Sequence, residues 1–330
     1  MAEIIHDVVG IGNAIVDIIG RCKDDFLVRH NASKGSMRLI DADTATKLYE
    51  DMGPGMEISG GSAANTMVGV ASFGGKAAFI GKVSDDEFGR IFAHDIRSAG
   101  VTFNTRPSTG STPTARSLIL VTPDGERTMN TFLGVSPELA VNEVDADLVA
   151  SARIVYLEGY LFDRPEAKAA FRQAADIAQQ AGRQVALTLS DPFCVDRHRS
   201  EFLEFIRSRV QILFANEAEI TSLYQTSSFE EASRYAHAAT KIAIVTRSAK
   251  GSVIFHGNKA TTIAADRVKS VADTTGAGDL FAAGFLYGLA GGKPIEVCGR
   301  LGSLAAAEVI SHIGARPEVP LAQLAKSRGL

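Results

Sequence analysis

The feature that most constrains this chain is the alternation of short β-branched apolar runs with longer, Ala-rich windows of helical composition. VVGIG at 8–12, AAFIGKV at 77–83, RIVYLEG at 153–159, QVALTL at 184–189, QILFAN at 211–216 and KIAIVT at 241–246 read as strands. Residues 87–99 and 165–181 read as helices, the second starting on Pro165 and stopping at Gly182. Strands this uniformly apolar must be covered on both faces. The pattern therefore predicts an α/β fold with a doubly wound, mostly parallel sheet. Its 330 residues suit one large or two modest domains.

Two stretches break the rhythm. Residues 14–43 hold strand-like pieces with polar interruptions, AIVDII at 14–19 among them, and 112–133 reads as a hairpin turning at Pro123-Asp124-Gly125. An antiparallel insertion of this kind is either a second β layer, a lid over a site, or an edge decoration. The expected division is a core of 1–14, 44–104 and 138–330 with a small β lid from 15–43 and 105–137.

Composition removes several function classes. The net charge of −4 lacks the basic footprint of a nucleic-acid binder, and no run reaches the roughly 18 apolar residues of a membrane span. The N-terminal stretch carries acids and no basic leader, so a secretory signal is not expected. Cys22, Cys194 and Cys298 are too scattered for a disulfide framework or a zinc knuckle, and the seven histidines show no metal-binding spacing. A soluble cytoplasmic protein is the expectation.

The common phosphate motifs fail. Gly74-Gly75-Lys76-Ala77 lacks the spacing and the hydroxyl of a Walker A loop. Gly10-Ile11-Gly12 has Ile15 where a dinucleotide fingerprint needs its third glycine. The informative segment is Asp273-Thr274-Thr275-Gly276-Ala277-Gly278-Asp279, followed by helical composition. It puts GAGD at a helix N-terminus, where backbone N–H groups lack partners and the dipole end is positive. The amides of Gly276, Ala277 and Gly278 could hold a transferring phosphoryl group while Asp279 takes a proton from a hydroxyl. A tight turn with a favourable first-turn acid is the plainer reading of G-x-G-D taken alone.

A second cluster, Ser59-Gly60-Gly61-Ser62-Ala63-Ala64-Asn65-Thr66, lets backbone approach a ligand and offers the Asn65 amide to a polyol. A third pairs Asn13 with Asp17. If the chain is extended there, their even separation places them on one face, and an ionised Asp17 can accept from two adjacent hydroxyls. Either cluster could equally be a turn or a surface-facing strand.

Together and in this order, the three clusters resemble the ribokinase-like (PfkB) family of carbohydrate and nucleoside kinases over essentially the whole chain. Residues 72–101 are similar to the family's segment after the glycine pair. Asn216-Glu217-Ala218-Glu219 resembles its N-x-x-E motif, which implies a role for Asn216 and Glu219 in the water and Mg²⁺ network, Glu219 acting on the metal through water. Residues 245–251 resemble the loop that borders ATP, which implies nucleotide contacts for Thr246, Ser248 and Gly251, with Thr275 beside them; the family often carries Gly where Ser248 stands. Arg127 is similar to an Arg brought to the phosphates, with Arg116 as the alternative.

Ser62 stands where ribokinases usually carry Lys. GNAIVDI, GERTMNTFLG at 125–134 and TLSDPFCVDRHR at 188–199 look most like bacterial adenosine-kinase-like members. The resemblance then implies an α/β core with a β lid, and transfer of the ATP γ-phosphoryl group to the 5′-hydroxyl of a nucleoside, adenosine first. Asp17, Gly60, Gly61 and Asn65 would hold the sugar, with Asn13 a weaker candidate. A nucleoside also needs an apolar slot, for which Met129, Leu133 and Tyr160 are candidates unless they are ordinary core. The alternatives are a sugar kinase of the same family and a nucleotide sensor without turnover. The expected ligands are ATP, Mg²⁺ and a small-molecule acceptor. A monovalent cation near 273–279 is common in relatives, and a homodimer is left open.

Overall fold

The computed structural model describes residues 3–330. The chain opens with β1 (His6–Ile11) and β2 (Ile15–Arg21), then α1 (Asp24–Arg29), β3 (Met37–Leu39), α2 (Ala42–Asp51) and β4 (Gly55–Gly60). Next come α3 (Ser62–Ser72), β5 (Ala77–Ile80), α4 (Glu87–Ser98), β6 (Thr102–Phe103) and the hairpin of β7 (Ala115–Val121) and β8 (Arg127–Phe132). Strands and helices then alternate: α5 (Ala146–Ala150), β9 (Ala152–Glu158), α6 (Pro165–Gln180), β10 (Gln184–Thr188), α7 (Pro192–Arg209), β11 (Ile212–Asn216), α8 (Glu217–Tyr224), α9 (Phe229–Ala239) and β12 (Ile242–Thr246). Strands β13 (Ser252–His256) and β14 (Lys259–Ile263) precede α10 (Ala277–Ala290), α11 (Ile295–Val309) and α12 (Leu321–Ser327).

Nine strands form the large sheet in the order β14-β13-β12-β11-β10-β9-β1-β5-β6. Pairing is parallel from β12 to β6, and β13 and β14 add an antiparallel edge. Alternate residues of each strand feed opposite layers. Val9, Val155, Leu187 and Val245 pack towards Phe171 of α6 and Phe202 of α7. Val8, Tyr156, Phe214 and Ile244 pack towards Phe281 and Phe285 of α10 and Leu301 of α11. This is the doubly wound α/β core that the alternation predicts.

The small sheet has the order β3-β8-β7-β2-β4. Phe26, Leu27, Ala45 and Leu48 of α1 and α2 cover one of its faces by packing on Leu118 and Leu120. It takes more of the chain than the expected 15–43 and 105–137, because Gly55–Gly60 pairs antiparallel with β2 as an edge strand. The GMEISG sequence of β4 has a glycine at each end and one central Ile, so it carries little strand signal. The chain also leaves extended pairing between β1 and β2, where residues 12–14 cross from one sheet to the other.

Small residues bring the site-bearing helices together. A side chain at Gly69 of α3 would collide with Ala283 of α10, and one at Gly284 would strike the backbone of Leu301 in α11. The Gly284→Val protein is expected to lose about 1–3 kcal/mol, the usual cost of overpacking. A lowered midpoint in thermal melts checks this, and an unchanged midpoint would show slack between α10 and α11.

Candidate active site

The site forms where the carboxyl ends of β1 and β9 face the N-termini of α3 and α10. Strand order runs outward in both directions from β1, so this is the topological switch point, where open α/β sheets hold ligands. Gly276 caps α10 with φ +78, in the left-handed region, and a side chain there would run into Ala315. The Ala277 amide is partly engaged, donating to the Thr274 carbonyl at 3.3 Å. Among the described residues, the N–H groups of Gly276, Gly278 and Asp279 have no acceptor in the protein. Of the expected trio 276–278, two amides are thus free, with that of Asp279 beside them, and the space over Gly278 is open.

Asp279, in the first turn of α10, reaches across to α3. Its carboxylate accepts from Ser62 Oγ at 2.6 Å and Asn65 Nδ2 at 3.0 Å. Burial raises its pKa above the usual carboxylate range, while those two hydrogen bonds and the charge of Arg316 oppose the rise. The other amide atom of Asn65, Oδ1, is buried with no partner, an acceptor left for a ligand hydroxyl.

Strand register decides what the small sheet presents. Asp17, Ser117 and Thr131 form one row across β2, β7 and β8, and Ile19, Ile119 and Met129 form the next row on the same face. Arg127 lies two residues before Met129 and shares that face. Its guanidinium forms an ion pair with Asp273 and donates to Thr275 Oγ1 at 2.9 Å, so this face looks at the N-terminus of α10. Arg127 Nε is buried with no acceptor. Arg116 projects from the opposite face. It donates to Thr46 Oγ1 at 2.7 Å and lies over the Phe88 and Phe132 rings, which removes it as the phosphate arginine.

Asp17 accepts no hydrogen bond from any described residue, and its carboxylate occupies the space a side chain at Gly60 would need. Burial pushes its pKa up to about 6, with Arg316 and Arg127 pulling the other way. Asn13 departs from expectation. It precedes β2, at the crossing between sheets, so the shared-face argument does not apply. Its Nδ2 donates to Glu158 Oε1 at 2.8 Å and its Oδ1 accepts from Ser136 Oγ at 2.9 Å, leaving it engaged within the protein.

Further along the large sheet, Asn216 and Thr246 end adjacent parallel strands. Asn216 and Glu219 close a capping box at the start of α8: Asn216 donates through its backbone N–H at 2.9 Å and Nδ2 at 2.6 Å, and Glu219 N–H returns a bond at 2.8 Å. Both Glu219 oxygens therefore already accept, and burial lifts its pKa to about 7, with Asp191 adding to the rise. Ser248 is exposed with φ +51, which accounts for glycine suiting that position, and Gly251 follows with φ +83. Leu133 follows β8 and is half-buried. Tyr160 packs on the α6–α7 layer, its hydroxyl 3.5 Å from the Ser190 carbonyl.

Sequence reasoning missed two charged groups, one buried and one half-buried. Glu158, 1 % exposed, accepts from the Ala63 amide at 2.8 Å as well as from Asn13, and so ties α3 to the carboxyl end of β9. Burial pushes its pKa up to about 7. Arg316, in the loop after α11, reaches back to β4 and α3. Neither belongs to a short motif; the uncompensated Glu closing the apolar RIVYLEG run was the one available signal.

An acid beside free amides at a helix start is an arrangement for moving a phosphoryl group onto a hydroxyl. Residues 49–322 match the pfkB family of carbohydrate kinases. The chain belongs to this family. A probable sugar kinase of Rhizobium etli is 54% identical with a TM-score of 0.91, covering 100% of this chain and 99% of that one. The adenosine kinase of Sinorhizobium meliloti is also 54% identical, with a TM-score of 0.90 and coverage of 98% and 99%. An uncharacterized sugar kinase of Archaeoglobus fulgidus is 32% identical over 259 residues, 77% of this chain and 98% of its own length. As a pfkB member the protein is a phosphotransferase with a hydroxyl acceptor, a sugar or nucleoside kinase.

Asp279→Asn is expected to lower kcat by at least about 10²-fold with ATP binding retained; full activity would remove Asp279 from the chemistry. A base must be ionised to accept a proton. Activity should therefore fall as pH drops through the raised pKa, placing the acid limb of kcat/KM above the ordinary carboxylate value of about 4. A pH series of initial rates checks the sign.

Proposed function

We propose that the protein transfers the γ-phosphoryl group of ATP to the 5′-hydroxyl of a nucleoside, adenosine first. The reading rests on one juxtaposition: the small-sheet face that carries Asp17 continues as the apolar row Ile19, Ile119 and Met129. A carboxylate suits the two hydroxyls of a ribose, and an adjacent apolar row suits a base, which a free sugar lacks. The Sinorhizobium adenosine kinase supports it at 54% identity.

Each residue then has a task. Asp279 takes the proton of the acceptor hydroxyl as it attacks, and Ser62 and Asn65 hold its carboxylate in place. The free amides of Gly276, Gly278 and Asp279 meet the negative charge developing on the transferring group. Asp17 and Asn65 Oδ1 fix the sugar.

ATP fits this donor set, since the orphaned Arg127 Nε and the three amides are unmatched donors facing one place. When bound, Mg²⁺ supplies charge neutralisation on the phosphates; it keeps several waters and leans on phosphate oxygens. Glu219 is the residue we assign to its water shell. We also propose a monovalent cation near 273–279 and a homodimer.

The second reading, a free-sugar kinase, draws on the Rhizobium and Archaeoglobus relatives named for sugars. An acceptor panel of adenosine, other nucleosides, ribose and fructose with ATP separates the two. ATP hydrolysis with no acceptor phosphorylated would favour a nucleotide sensor. Asp17→Ala is expected to raise the acceptor KM with the ATP KM little changed. An unaltered acceptor KM would show that Asp17 does not grip the substrate.

A further inference from the structure

Arg316 lies in the loop between α11 and α12, 257 residues from its principal partner. Its Nε donates to the Ser59 carbonyl at 2.9 Å, and its Nη2 donates to that same carbonyl and to Ser59 Oγ at 2.9 Å. Its Nη1 donates to the Ala64 carbonyl at 3.1 Å. Ser59 is the penultimate residue of the lid strand β4 and Ala64 sits in the first turn of the core helix α3, so one guanidinium straddles the Gly60–Gly61 link. Gly61 holds φ +99 in that link, where a side chain would strike the Asn13 carbonyl; its own carbonyl accepts from Asn65 N–H at 2.8 Å, and Gly60 pairs with Ile15 of β2.

The same loop engages the lid a second time. Gly314 N–H donates to Asp273 Oδ2 at 2.9 Å, and Asp273 pairs with Arg127 of β8. From behind, Asp95 of α4 accepts from both Ser59 N–H and Ser59 Oγ.

We propose that Arg316 is a positioning residue for phosphoryl transfer: by bridging Ser59 and Ala64 it sets the lid against the core, and it keeps a fixed positive charge beside Asp17 and Asp279. This rests on the kinase reading. The guanidinium stays charged at neutral pH, although burial brings its pKa down to about 10. Its charge opposes the rise at both site carboxylates. The other ionisable neighbours act differently. Arg127 of β8 lowers Asp17, and the charge of Asp279 raises it. Glu158 and Tyr156 of β9, Tyr160 beyond it and Glu219 of α8 feel the charge of Asp279, while Asp95 acts on Arg316 itself.

The test compares Arg316→Gln, Arg316→Lys and Asp95→Asn in the full-length protein. Two readouts are taken: the acid limb of kcat/KM, and titration of ¹³C-labelled aspartate by NMR, which needs no turnover. Arg316→Gln, which loses the charge, is expected to move the limb and the slow-titrating aspartates up by about one pH unit. Arg316→Lys should leave them in place, with a lower melting midpoint from the lost hydrogen bonds. Asp95→Asn, which frees the Arg charge, should move them down. Equal losses of melting midpoint in both Arg316 variants with no movement in either readout would overturn the proposal. So would an unmoved Asp95→Asn profile should Arg316→Gln fail to fold. Moved aspartates in a protein that phosphorylates no acceptor would leave the placement of charge standing and remove the kinase reading.

Discussion

The structure depends on a carboxylate held where water would stabilise it better. Asp279 gives up solvent and recovers only part of that loss through Ser62, Asn65 and a nearby guanidinium. The balance keeps it a stronger base than an exposed aspartate yet able to ionise. Everything around it serves that balance. The tight approach of α3 and α10 through Gly69 brings the two hydroxyl and amide donors into reach, and α11 seals the helix behind.

The core was legible because its signal is local. Each buried strand is a short apolar run flanked by helix composition, and Gly182, at φ +72, stops α6 as a glycine after a helix does. The 273–279 segment was legible for the same reason: a helix start, two glycines and an acid are contiguous. What could not be read is what depends on partners far along the chain. Arg127 is the sequence candidate and Arg116 its alternative, and only the hairpin register shows that they lie on opposite faces. Arg316 has no motif at all, since its acceptors are backbone carbonyls whose sequence identity is irrelevant. The shared face of Asn13 and Asp17 depended on an extended chain through both, and β2 begins at Ile15, after Asn13 has turned between the sheets. Strand β4 went unassigned because an edge strand with glycine at both ends is held by ladder bonds to β2 more than by its own composition.

Two buried acids near the site act as local braces. Asn216 and Glu219 satisfy one another at the start of α8, and Glu158 satisfies the start of α3. In each case a buried acid takes amides that a helix cannot pair internally. Such acids stiffen the floor of the cleft even before a ligand arrives, and their raised pKa values reflect the burial this requires.

The two faces of the small sheet have independent duties. One is packed shut by α1 and α2; the other carries Asp17, the apolar row and, beyond it, Arg127, which is tied to Asp273 and Thr275 ahead of α10. On the nucleoside reading proposed above, altering Ile19, Ile119 or Met129 would change which molecule is chosen while Asp279 and the amides of α10 stay in place. Such a scaffold can diversify its clientele by drift at a few positions while inheriting its reaction unchanged.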